Sequence, residues 1–244
     1  MTQRRQLSYA IPPLTPVARN LIIALTAIFL AQVLLRVALG FDTQRYARIL
    51  EDVVGLSAHG TIDQHWLWQP LTYFWIAPMS LVSVLLSLLM IWIFAPPIEQ
   101  RVGGARMLVT FAFAGIAGGL LTLAAAAIAG PGSTSWHWVS VGAHGATAGL
   151  AAFLFWLKRD HDFDIFVARA KGLHLLLAFT ALNVLQGFIT LPIAAATSIG
   201  GILAGVIAAS GVGPWRLWQQ FRLWRIRRRV RTIAGGKDDR HFLQ

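Results

Sequence analysis

The chain has 244 residues, of which 56% are hydrophobic and only 13% are charged. A soluble domain of this length carries about a quarter charged residues, so the composition indicates a protein that crosses a membrane several times. The lack of cysteine excludes disulfides, thiolate metal sites and a cysteine nucleophile. The net charge of +11 lies in short blocks between hydrophobic runs. Such blocks are typical of membrane orientation signals rather than of nucleic-acid binding.

The hydrophobic runs predict an all-α membrane protein. Residues 1–17 are polar and basic and are predicted to be a cytoplasmic arm. Six stretches follow, each near the ~20 residues that cross a bilayer as a helix. They lie at 18–38, 79–98, 106–129, 139–157, 172–191 and 193–212. We therefore expect a six-helix membrane domain over 18–212, followed by a basic tail over 213–244.

The positions of the basic residues predict the orientation. If the N-terminus is cytoplasmic, 18 of the 21 Lys and Arg residues lie on the cytoplasmic side. Only Arg36, Arg45 and Arg48 fall on the opposite side. An excess of Lys and Arg marks cytoplasmic loops, so we expect both termini to be cytoplasmic.

Two segments outside the spans are rich in aromatic residues. The outer loop at 39–78 ends in an aromatic cluster from Trp66 to Trp75, which predicts interfacial anchors and a half-embedded loop. The tail interleaves Trp and Arg without a clean amphipathic face. It is expected to be attracted to anionic lipid headgroups. Nucleic-acid binding is not expected, since the basic block directly follows a span.

The fourth predicted span contains one ionisable residue among small ones. The stretch Val141–Leu150 reads VGAHGATAGL, and His144 is bracketed by Gly142, Gly145 and Gly149. Glycines let a second helix or a ligand approach the backbone closely. An ionisable group at membrane depth is a functional-site hypothesis by default.

Four motifs, in order, resemble those of the rhomboid family of intramembrane serine proteases. They are Trp68-Gln69-Pro70-Leu71-Thr72-Tyr73, Trp92-Ile93-Phe94-Ala95-Pro96-Pro97-Ile98-Glu99, Gly142-Ala143-His144-Gly145-Ala146-Thr147-Ala148-Gly149-Leu150 and Ser198-Ile199-Gly200-Gly201-Ile202-Leu203-Ala204-Gly205. The resemblance covers roughly residues 18–212. It implies a rhomboid-like six-helix bundle, multi-pass in a bacterial inner or plasma membrane.

The chain departs from the family wherever the family does chemistry. The resemblance places His144 at the position of the nucleophilic serine and Ser198 at the position of the general-base histidine. The histidine and asparagine that help to hold the oxyanion correspond to Ser83 and Ser87. The scaffold glycines are retained.

Small residues predict close contact between the fourth and sixth spans. Gly145-x-x-x-Gly149 and Gly201-x-x-x-Gly205 are packing motifs of the small-xxx-small kind. On the sixth span Ser198 lies on the same helix face as Gly201 and Gly205. We therefore expect His144 to contact Ser198.

These residues allow several functions. The first is a proteolytically inactive rhomboid homologue (a pseudoprotease) that binds or escorts transmembrane segments of other membrane proteins. The second is a serine-type endopeptidase with a transposed dyad, Ser198 as nucleophile and His144 as base. Weak oxyanion donors and a displaced nucleophile would make it slow, since one lost donor costs ~10²–10³ in rate.

The third is transport or metal binding, which is disfavoured because no second His, Asp or Glu lies at membrane depth near His144. No metal and no cofactor are expected. A purely structural role also stays open. A neutral imidazole bonded to the Ser198 hydroxyl would tie two spans together, worth about 1 kcal/mol.

Overall fold

The computed structural model describes residues 13–40, 42, 49, 52–78, 80–165, 168–189 and 192–211. Six long helices follow one another along the chain. They are α1 (Pro16–Ala38), α2 (Leu81–Val102), α3 (Gly104–Ala129), α4 (His144–Leu157), α5 (Gly172–Ile189) and α6 (Pro192–Ala209). The predicted tail and residues 1–12 of the predicted arm lie outside the described residues.

Three of the helices are long and apolar enough to cross a membrane by themselves: α1, α2 and α3, with 23, 22 and 26 residues. The apolar parts of α4, α5 and α6 are shorter. Every residue of α4 from Gly145 to Leu154 is buried, and α4 contacts α2, α3, α5 and α6. A helix that is apolar all round belongs in the middle of a bundle, so α4 is the central helix.

The start of α4 differs from the predicted span, which began at residue 139. The helix begins at His144 because the residues before it are extended. Ser140 exchanges two backbone hydrogen bonds with Leu56, at 2.9 and 2.8 Å. Gly142 then has a φ of +98°, which breaks any continuation of the helix. The start of the central helix is thus set by a partner in the outer loop.

Glycine contacts set the distance between α4 and its neighbours. A Cβ on Gly201 would overlap the carbonyl of Gly145, and one on Gly205 would overlap the carbonyl of Gly149. Gly149 in turn packs against the methyl group of Ala114 on α3. These contacts are the close backbone approach that small residues permit within a membrane.

The first helix is held by a carboxylate from the second. Glu99 accepts hydrogen bonds from the Thr15 hydroxyl (2.5 Å), the Val17 N–H (3.1 Å) and the Ala18 N–H (2.8 Å). The N–H groups of a first turn have no partner inside their own helix, and a negative charge there also favours the helix dipole. Glu99 therefore caps α1 and links it to the C-terminal end of α2.

The outer connection between α1 and α2 is partly a buried structure. It contains a short π-helix, His59–Asp63, and a single helical turn, Gln69–Thr72. The Gln69 side chain is fully buried; its Oε1 accepts from the Thr61 hydroxyl (2.9 Å) and its Nε2 donates to the Asp52 carbonyl (3.0 Å). By accepting and donating in this way, the Gln69 amide joins separate parts of the loop to one another.

The prediction that the aromatic residues of this loop are interfacial anchors is wrong for Tyr73 and Phe74. Both are buried, and the Tyr73 hydroxyl donates to the Gly115 carbonyl at 2.5 Å. Phe74 fills the space beside Gly115, with its ring 6.1 Å from that of Phe111. Tyr73 and Phe74 therefore belong to the core. Trp68 remains 46% exposed, as an anchor would be.

A short β-hairpin interrupts the all-helical pattern between α4 and α5. Its strands are β1 (Asp162–Ile165) and β2 (Ala168–Lys171), paired antiparallel with Asp162 opposite Lys171. Gly172 begins α5 against the carbonyls of Phe155 and Lys158, where a Cβ has no space. The prediction of an all-α chain missed this hairpin.

We expect Gly201→Ala to destabilise the protein by roughly 1–3 kcal/mol, because the added methyl group overlaps the Gly145 carbonyl and must force α6 away from α4. Thermal unfolding in one detergent measures the loss. Gly132→Ala is the matched control, since a Cβ at Gly132 meets no atom within 4 Å. Equal melting temperatures for the two variants would contradict the importance of this contact.

Candidate functional site

The turn before α4 places His144 on the wall of a cavity. The Gly142 N–H donates to the Tyr73 carbonyl at 3.0 Å. A Cβ on Gly142 would press on Pro78 and on the His144 ring, and its positive φ already disfavours other residues. His144 is the first residue of α4, and it is exposed on the cavity side.

The cavity has a volume of about 500 Å³ and lies among α2, α4, α5, α6 and the segment before α4. Its size is in the range of pockets that hold drug-sized ligands. No Asp, Glu, Lys or Arg occurs among its described lining residues, so its wall is polar in places without formal charge. Those residues are Leu86, Ser87, Met90, Trp138, Val139, Ser140, Val141, His144, Thr147, Ala148, Phe179, Leu182, Asn183, Ala194, Ala195, Thr197 and Ser198.

His144 and Ser198 lie on the wall of this one cavity. Ser198 is half-buried, and no hydrogen bond joins its side chain to that of His144 within the described structure. The structure therefore shows no hydrogen bond at the contact expected from the sequence, although both residues line the same cavity. General-base chemistry requires the imidazole within hydrogen-bond reach of the hydroxyl.

The structure separates the two serines that the sequence treats as equivalent. Ser87 lines the cavity, and it also lines a smaller one of about 20 Å³ beneath the outer loop. Ser83, one turn earlier on α2, lines neither of them. Its backbone N–H donates to the Ser80 Oγ at 3.5 Å, at the start of the helix. Of the two, only Ser87 can touch a molecule in the cavity.

A set of hydroxyl groups behind the wall joins α3 to α6. The Thr122 and Thr197 hydroxyls are 2.7 Å apart, and Thr122 donates to the Gly118 carbonyl at 2.9 Å. The Ser140 hydroxyl lies 3.5 Å from that of Thr197. Because the Thr122 hydroxyl donates its proton to the Gly118 carbonyl, the Thr197 hydroxyl is the donor in the bond between Thr122 and Thr197. Sequence reasoning missed this network; the only signal for it was a threonine in each of two apolar runs.

Two other polar groups on the wall are already bonded within their helices. Asn183 Nδ2 donates to the Phe179 carbonyl at 2.8 Å, and the Thr147 hydroxyl donates to the Ala143 carbonyl at 3.0 Å. Across the described part of the chain, no group of three or more His, Asp or Glu side chains is placed to hold a metal ion.

The outer loop anchors the segment that forms one wall. Asp63 Oδ2 accepts from the Trp136 Nε1–H at 2.8 Å and from His59 Nδ1 at 2.9 Å. The His59 N–H donates to the Trp136 carbonyl at 3.1 Å. These hydrogen bonds, first that of Trp136 and then that of His59, hold the pKa of Asp63 below its usual value. The carboxylate thus positions Trp136 just ahead of wall residues Trp138 and Ser140.

This anchor predicts a pH dependence. The folded-state pKa of Asp63 lies below its ordinary value of 3.8. The ionised carboxylate therefore stabilises the loop fully above pH 3.8, and this stabilisation is lost as the pH falls through the folded-state pKa of Asp63. Hydrogen exchange of backbone amides at 136–142, corrected for intrinsic rates, should rise in that window. In Asp63→Asn these amides should exchange faster at neutral pH, and the rise in exchange at low pH should be absent.

The control is Asp160→Asn, an exposed carboxylate that pairs with Arg159 at 3.3 Å and does not contact the loop. It should leave the exchange profile of 136–142 unchanged. Identical profiles for wild type and Asp63→Asn would show that the loop is held without the carboxylate.

Comparison with known families agrees with the motifs. A profile of the Rhomboid domain matches residues 64–215, which include every helix from α2 to α6 and all residues of the cavity wall. No curated protein matches the sequence. The match covers more than half of the chain, and the apolar helices fit a multi-pass membrane protein. The chain belongs to the rhomboid family.

Proposed function

We propose that this protein is a proteolytically inactive rhomboid that binds or escorts transmembrane segments of other membrane proteins. The observation that carries the proposal is the pair on the cavity wall. His144 stands where the family has its serine, Ser198 stands where it has its histidine, and no hydrogen bond joins them. A hydroxyl without a bonded base is a poor nucleophile, whereas the neutral cavity suits binding.

The cavity wall continues onto the membrane-facing surface. Leu86 on α2 and Leu182 on α5 line the cavity and are 51% and 62% exposed. A segment arriving from the bilayer would therefore meet these apolar side chains at the cavity that His144 and Ser198 also line. This arrangement supports a membrane-embedded partner rather than a soluble one.

The membrane arrangement is part of the same proposal. All six helices cross the bilayer, and both termini face the cytoplasm of a bacterial inner or plasma membrane. The distribution of Lys and Arg supports this orientation, as does the capped α1 start, which lies beside Arg19 and Arg101 at one end of the bundle. The basic tail contacts anionic headgroups.

The second candidate is a serine-type endopeptidase with Ser198 as nucleophile and His144 as base. The shared cavity favours it, because the hydroxyl and the imidazole line the same space. The oxyanion would then depend on Ser87, since Ser83 is not on the wall. One rotatable hydroxyl is a weak substitute for a preorganised donor pair.

A fluorophosphonate probe distinguishes the two candidates. We expect no labelling of purified wild-type protein beyond that of Ser198→Ala, because no base activates the Ser198 hydroxyl. In-gel fluorescence and mass spectrometry of the modified residue provide the measurement. Labelling at Ser198 that requires both Ser198 and His144 would establish the endopeptidase and end the proposal.

Photo-crosslinking tests the binding role directly. A crosslinking side chain at Leu182 should capture a membrane protein in cells, while one at Ile128, 88% exposed on α3 away from the cavity, should not capture it. His144→Trp, which places a larger ring in the cavity, should abolish the Leu182 product. A product that persists in His144→Trp would place the partner elsewhere on the protein.

A further inference from the structure

Two histidines from distant parts of the chain meet outside the long helices. His59 is the first residue of the short π-helix between α1 and α2, and His137 lies in the connection between α3 and α4. Their ring centroids are 5.1 Å apart, and the ring planes are tilted by 48°. Neither residue lines the cavity at His144. The pair is therefore a separate feature that the proposed function does not use.

Hydrogen bonds around the two histidines hold them in place. The Gln64 N–H donates to the His59 carbonyl at 3.2 Å, which is the i→i+5 bond of a π-helix and brings Gln64 back beside His59. The His59 N–H donates to the Trp136 carbonyl at 3.1 Å, and the Trp136 indole donates to Asp63. His137 directly follows Trp136, so these bonds also keep His137 beside His59.

Asp63 determines which nitrogen of His59 carries the lone pair. An ionised carboxylate only accepts hydrogen bonds, so the His59 Nδ1 that lies 2.9 Å from Asp63 Oδ2 is protonated. In the neutral ring the lone pair is then on Nε2, which accepts from the exposed Gln64 amide at 3.1 Å. A carboxylate behind one nitrogen and a lone pair on the other is the arrangement found in metal-ligating histidines.

The distance between the rings fits one shared ion. Metal–nitrogen bonds of ~2.0–2.1 Å at a tetrahedral angle place the centroids of two ligating imidazoles about 5 Å apart. The alternative is a simple aromatic contact, which prefers offset-stacked or edge-on rings. The 48° tilt is neither of these arrangements. Shared ligation therefore accounts for the ring geometry better than stacking does.

We propose that His59 and His137 bind a divalent transition-metal ion of the Zn²⁺ class, with Asp63 as the positioning residue behind His59. Imidazole suits Zn²⁺, Cu²⁺ and Ni²⁺, whereas Ca²⁺ and Mg²⁺ take oxygen ligands. Gln64 gives up its contact with His59 Nε2, and water completes the coordination. The proposal departs from the expectation of no metal, since only the fold brings His59 to His137.

The ion would join two connections that also support the cavity. His59 belongs to the loop between α1 and α2, and the segment after His137 continues into the wall residues Trp138 and Ser140. A shared ion therefore fastens this wall to the outer loop in addition to the bonds of Asp63. Two histidines with water form an open site, distinct from a group of three His, Asp or Glu ligands.

A zinc titration of the purified, metal-stripped full chain tests the site. We expect Zn²⁺ to raise the melting temperature of wild type by roughly 2–6 °C, because an ion that binds only the folded state stabilises it. His137→Ala should lose this shift, and His137→Cys should regain it, since a thiolate also ligates Zn²⁺. The matched control is His161→Ala, which removes another exposed histidine and should keep the shift.

Hydrogen exchange measures the fastening of the wall. Saturating Zn²⁺ should slow the exchange of backbone amides at 136–142 in wild type and should leave it unchanged in His137→Ala. Asp63→Asn should need roughly 10–100 times more Zn²⁺ for half-saturation, because the carboxylate that orients His59 is lost.

Three outcomes would overturn the proposal. Equal Zn²⁺ shifts in wild type and His137→Ala would reveal an adventitious ion only. Equal shifts with Ca²⁺ or Mg²⁺ would show that positive charge, rather than imidazole ligation, causes the effect. No shift with Zn²⁺ in wild type would reduce the pair to an aromatic contact.

Discussion

The approach of α6 to α4, backbone against backbone, is the constraint on which the rest of the molecule depends. Gly201 and Gly205 lie directly over the carbonyls of Gly145 and Gly149, and Ala114 closes the third side from α3. In a bilayer no hydrophobic effect pushes helices together, so close packing must supply the attraction. Because α4 cannot move away from α6, His144 and Ser198 have to share one wall.

Much of this architecture could be predicted because the signals for it are local. Hydropathy and helix-breaking glycines placed the six helices, and small residues at a spacing of four marked the α4–α6 contact. The beginning of α4 could not be predicted, since it depends on Ser140 pairing with Leu56 far away in the chain. Tyr73 and Phe74 were misassigned for a related reason. An aromatic residue suits a membrane interface and a glycine-lined core equally well, and only the position of Gly115 decides between them.

The polar part of the site shows a second limit of sequence reasoning. Spacing alone cannot separate Ser83 from Ser87, because both lie one turn apart on an apolar helix. The three-dimensional structure separates them, and it adds the hydrogen bond between Thr122 and Thr197, which exists only because α3 and α6 touch. The cavity wall is therefore neutral and carries several hydroxyl groups. The glycines of the α4–α6 contact set the distance between the helices whether or not chemistry occurs.

The capping of α1 by Glu99 has a mechanical consequence. The buried residues of α2 are concentrated toward Glu99, at Ile91, Ala95, Pro96 and Ile98, whereas Leu81, Val82, Leu85 and Leu86 at the other end are more than half exposed. A helix that is held at one end and loosely packed at the other can tilt but cannot shift along its axis. Any widening of the cavity by α2 is then a tilt about its C-terminal end. Its amplitude is greatest in the N-terminal half of α2, which brings Leu86 and Ser87 to the cavity wall.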